Sequence, residues 1–129
     1  MTLDKQTKKE LASAYAQLFR PMGVYQIRNV QNGKILVNCA MDLEGARNRL
    51  TFMQQMNTNM VSELREDWNT YGGAAFVFEE LDRISPREEH MSDRSELKAY
   101  KDEVEALLEL WLEKLQPYGN QGYNKKRRK

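Results

Sequence analysis

The chain has 129 residues, 40% of them apolar and 30% charged, which fits one globular domain with a core of ordinary size. No apolar run approaches the ~20 residues that cross a bilayer, and the N-terminal residues lack the continuous apolar segment of a secretory signal, so a cytoplasmic protein with no membrane partner is expected. One cysteine (Cys39) and one histidine (His90) exclude an internal disulfide and a Cys/His zinc site within one chain, while the net charge of +1 becomes −4 once the +5 of Lys125, Lys126, Arg127, Arg128 and Lys129 is set aside.

Residues 3–19 read as a helix, because Leu3, Leu11, Ala14, Tyr15 and Leu18 recur at helical spacing, and Pro21 closes it. Val24, Gln26, Arg28 and Val30 then alternate with Tyr25, Ile27 and Asn29, and Asn32-Gly33 is a strong signal for a two-residue hairpin turn. The returning strand runs from Lys34 to about residue 40. Asp42 can cap a helix over 43–57, with Leu43, Leu50, Met53 and Met56 on its apolar side. A further helix over 60–71 carries Val61, Leu64 and Trp68, and Gly72 or Gly73 can supply a left-handed C-cap. "AAFVFEEL" reads as a third strand and "SPREEHMSD" as a polar loop with a solvated His90. A long amphipathic helix over 94–115 turns Leu97, Tyr100, Val104, Leu107, Leu108, Trp111 and Leu115 inward and stops before Pro117. The order is αββααβα. It predicts an α+β fold, a small three-stranded antiparallel sheet flanked by helices, with an extra N-terminal helix.

From the hairpin onward the sequence resembles the GIY-YIG nuclease family. "GVY" (Gly23-Val24-Tyr25) is similar to the family's first motif, and after residues 26–35 Leu36-Val37-Asn38 stand where the second is expected. "NGKILV", "DLEGARNRL", "LREDWNTYGGAAFVFEELD" and "LLELWLEKLQPYGNQGYN" resemble later family segments in the same order, so the likeness covers residues 22–124. It divides the chain into an N-terminal helical extension (1–21), a GIY-YIG-like domain (22–124) and a basic tail (125–129).

The resemblance implies a chemistry with three parts. A tyrosine works near the attacking oxygen, a cation stabilises the developing phosphate charge, and a glutamate holds one divalent ion. Of the family positions, Tyr25 and Asn124 are retained. Leu36 replaces the second tyrosine, Asn38 the motif glycine, Ala46 the helix arginine, Leu50 a histidine and Leu108 the metal-binding glutamate. One lost electrostatic donor can account for about 3–4 kcal/mol of transition-state stabilisation, and two such groups are replaced by hydrocarbon. A binding or regulatory module without nuclease activity is therefore expected, with no cofactor and no metal ligand set.

The partner is either nucleic acid, through Arg47, Arg49 and the basic run from Lys125 to Lys129, or a protein docking on the filled cleft. The alternative is a divergent endonuclease dependent on Mg²⁺ or Mn²⁺, with Arg49 and Glu105 as displaced residues around Tyr25. Tyr25 has a bland reading too, as a strand tyrosine packed on the last helix. Cys39 reads as a buried thiol and the methionines as core filling. A structural oligomer joined through Tyr15 and Leu18 is a third possibility.

Overall fold

A computed structural model describes residues 20–85 and 94–125 of the chain. The expected helix over 3–19, with Tyr15 and Leu18, therefore lies outside the described residues, as do His90 and Lys126, Arg127, Arg128 and Lys129. The described part runs β1 (Met22–Asn29), β2 (Ile35–Ala40), α1 (Leu43–Met56), α2 (Arg65–Tyr71), β3 (Phe76–Ile84) and α3 (Arg94–Leu115). The three strands form one antiparallel sheet in the order β2-β1-β3. Among these elements no helix is long and apolar enough to cross a membrane.

Strand alternation sets the two faces of the sheet. Ile27, its cross-strand partner Leu36, and Phe76 are buried with Leu50 and Met53 of α1 and Leu64 and Trp68 at α2. Val24 and Val37 point the other way and are buried with Leu108 and Leu112 of α3. Met22, Tyr100 and Val104 extend that second layer. Each fully buried Leu or Val contributes about 1.5–3 kcal/mol of transfer free energy, so these two layers dominate the stability.

Local chemistry explains the element boundaries. Asp42 caps α1 by accepting the Gly45 N–H at 3.0 Å and also pairs with Arg20 at 3.1 Å. Asn57 ends the helix in the left-handed conformation (φ 50°), which asparagine tolerates. Gly23 must be glycine because β3 approaches it closely: a Cβ there would lie 2.0 Å from the Asp82 carbonyl oxygen. At Gly73 a Cβ would lie 2.6 Å from the Trp68 ring.

Several boundaries differ from the periodicity. The hairpin connection is four residues long, 30–33, closed by Asn29 N–H to the Lys34 carbonyl (2.9 Å) and Gly33 N–H to the Asn29 carbonyl (2.8 Å). Buried Asn29 drives this: its side chain accepts the Gln31 N–H at 2.9 Å and donates to Tyr123, fixing a wider turn than Asn-Gly alone requires. Residues 62–64 form a 3₁₀ turn ahead of α2, and β3 continues to Ile84. Met56, expected inward, is 60% exposed. Leu112, which the helical pattern passed over, is buried.

Candidate functional site

The C-terminal segment closes the outer edge of β2. Gly122 bridges Ile35 in parallel, and Tyr123 N–H donates to the Ile35 carbonyl at 2.8 Å. The Asn124 side chain then imitates a strand, accepting the Val37 N–H at 2.8 Å and donating to the Val37 carbonyl at 2.7 Å. Tyr123 locks the segment further. Its hydroxyl donates to Asp67 at 2.5 Å and accepts from Asn29 at 3.1 Å, while Asn32 donates to the same Asp67 oxygen at 2.8 Å. Burial, and then the bond to Asp67, push the Tyr123 phenol up to about 12, and the Asp67 carboxyl is held below its ordinary value chiefly by the Tyr123 hydroxyl. Asn124 is thus committed to the backbone of Val37.

Beside this clasp a cleft of about 390 Å³ opens between the loop before α2 and helix α3. It gathers Tyr25, Leu36, Asn38, Arg49, Leu108, Asn124 and Lys125, residues from five separate stretches of chain. Leu36 and Leu108 are buried and make its floor apolar. Leu50 is core, and half-buried Ala46 lines an adjoining depression of about 370 Å³ that shares Tyr25, Asn38 and Arg49. The cleft also contains Glu63, the one carboxylate lining it among the described residues, which accepts from Ser62 at 3.2 Å.

Tyr25 is held on the α1 face of the sheet, stacked on Phe78 with centroids 4.9 Å apart, rather than packed simply on the last helix. Arg47 lies over the Phe78 ring at 5.0 Å and is thereby placed beside the cleft, outside its lining. Burial raises the Tyr25 phenol above its ordinary value; Arg49 and a hydrogen bond with Asn38 act in the opposite direction but do not cancel it. Tyr25 is therefore protonated at neutral pH and suited to donating a hydrogen bond. Arg49 and Lys125 form no ion pair among the described residues, which leaves two cations available in the cleft.

Glu105 is not among the residues that line the cleft with Arg49; it lines a neighbouring depression on the α3 side with Cys39 and Glu109, which shares Asn38 and Leu108 with the cleft. Cys39 is half-buried there, between the α3 layer and the strand edge. Among the described residues no group of three or more His, Cys, Asp or Glu side chains is arranged to hold a metal ion. The sequence reading missed Glu63 and Phe78. Phe78 was recoverable from its period-two relation to Phe76 in "FVF", whereas Glu63 sits in an irregular turn with no periodic signal.

No protein-family model matches the chain, and neither does any curated protein sequence. Solved structures do match. The catalytic domain of the homing endonuclease I-TevI superposes with a TM-score of 0.58 at 24% identity, over 82% of this chain and 99% of that one. A mutant of the catalytic domain of intron endonuclease I-TevI gives 0.57 at 24% identity, over 81% and 92%. I-TevI is a GIY-YIG homing endonuclease, and a three-stranded antiparallel sheet with the same flanking helices is common to both chains: this protein has a GIY-YIG-like fold.

Proposed function

We propose that the chain is a nucleic-acid-binding module built on a GIY-YIG-like fold, without nuclease activity. The observation that carries this reading is the make-up of the cleft, which pairs two cations, Arg49 and Lys125, with an apolar floor of Leu36 and Leu108. Cations without a carboxylate partner attract phosphate oxygens, and neutralising phosphates releases counterions and drives binding. Lys125 is also the first residue of the basic run that continues in sequence to Lys129.

Cleavage needs more than attraction. At the family's metal-ligand position stands buried Leu108, which offers no oxygen donor, so the residues present there do not fit a divalent ion. Ala46 offers no charge where a phosphate clamp is expected, and burial raises the Tyr25 phenol above its ordinary value, which keeps it protonated near neutral pH.

A salt titration of DNA binding by fluorescence anisotropy tests the reading. Affinity that falls steeply with salt, and less steeply in Arg49→Ala, supports it. Undetectable binding transfers the cleft to a protein partner. A second reading, a divergent endonuclease dependent on Mg²⁺ or Mn²⁺, is favoured by one observation: Glu63 shares the cleft with Tyr25 and Arg49. It predicts metal-dependent nicking that Glu63→Gln abolishes.

A further inference from the structure

The flank of α1 above the cleft carries an apolar extension of the cationic site. Residues 45, 49, 52 and 56 fall on one side of a helix, at spacings of four, three and four. Gly45 and Arg49 on that side line the depression that also contains Tyr25. The other end of that side is Phe52 and Met56, which are 52% and 60% exposed, while the core side of the same helix, with Leu50 and Met53, is buried. Met60, 47% exposed, lines the cleft itself and adds a further exposed apolar side chain to it. Large apolar groups exposed together beside unpaired cations mark a binding surface rather than a leftover of packing.

We infer that this flank takes the bases of a single-stranded nucleic acid whose phosphates sit at Arg49 and Lys125. The inference rests on the nucleic-acid reading of the cleft and names its substrate class. A duplex presents phosphates outward and keeps its base faces stacked inside, so Phe52 and Met56 would meet only charge and sugar. An unpaired strand presents base faces next to each phosphate, and stacking on an aromatic ring tolerates any sequence. A rise of 1.5 Å per residue puts Phe52 about 4.5 Å along the helix axis from Arg49, within reach of a base attached to a phosphate held there.

Anisotropy titrations with fluorescein-labelled oligothymidine and with a duplex of equal length test the inference, using the full chain and the variants Phe52→Ala, Phe52→Trp and Arg49→Ala. The single strand is expected to bind at least about tenfold more tightly than the duplex. Phe52→Ala weakens single-strand binding by about 5- to 100-fold and leaves the duplex unchanged, while Phe52→Trp retains it. Arg49→Ala weakens both forms. Equal binding of the two forms, with Phe52→Ala silent and Arg49→Ala still effective, overturns the inference and leaves the cleft a general nucleic-acid site. Binding of neither form overturns both.

Discussion

The C-terminal clasp and the neighbouring cleft are built from the same kinds of side chain and use them in opposite ways. In the clasp, Asn29, Tyr123, Asp67, Asn32 and Asn124 bond to one another or to the β2 backbone. In the cleft, Arg49 and Lys125 have no ion-pair partner among the described residues. Polar groups paired within the fold hold it together; polar groups left over can meet a ligand. The two regions touch at Asn124 and Lys125, so the clasp also fixes where Lys125 enters the cleft. Substitutions in the clasp should therefore cost stability, and substitutions in the cleft should cost binding alone.

The largest effect should come from the close approach of β3 to β1 at Gly23. Gly23→Ala forces a Cβ against the Asp82 carbonyl and should lower stability by about 3 kcal/mol or more, read by urea denaturation. Asn124→Ala comes next. It leaves both backbone groups of buried Val37 without their partner and should lower stability by about 2 kcal/mol.

Tyr123→Phe should act through pH. Its phenol is raised from 10.0 to about 12 in the fold, so the stability it contributes is complete below pH 10 and lost as the pH rises through about 12. Asp67 is shifted the other way, down from 3.8, so its contribution is present above that value and lost as the pH falls through the lower folded value. The stability gap between wild type and Tyr123→Phe should therefore be widest near neutral pH and narrow at both extremes, measured by denaturation across pH. A gap independent of pH would mean that the clasp is only packing. The smallest effect belongs to the cleft. Arg49→Ala should leave stability within about 0.5 kcal/mol while reducing the salt slope of nucleic-acid binding by about 1.

These contrasts also separate what the sequence discloses from what it hides. The hairpin, the Asp42 cap and the long α3 are local: alternation, one capping side chain and a period of 3.6 carry them. The clasp is not local. Asn124 meets Val37 across 87 positions, and no periodic signal marks such a pair. The cleft was half legible. The family likeness singles out Tyr25, Leu36, Asn38 and Leu108, which the fold brings together with Arg49, whereas Glu105, suggested only by its helical spacing from Leu108, lines a neighbouring depression on the α3 side. Glu63 was invisible because a 3₁₀ turn, not a helix face, presents it. Met56 and Phe52 show the limit of apolar periodicity: it marks a side chain as hydrophobic without saying whether the fold covers it.

Binding without cleavage is the central claim, and one gel tests it. Supercoiled plasmid and a single-stranded circle are incubated with the protein in Mg²⁺ and in Mn²⁺, alongside Tyr25→Phe, and each reaction is run before and after the protein is removed. The account predicts retarded DNA before removal and unchanged, uncut DNA after it, identically for both proteins. Metal-dependent nicked product that disappears with Tyr25→Phe would contradict it and make the cleft a working nuclease site.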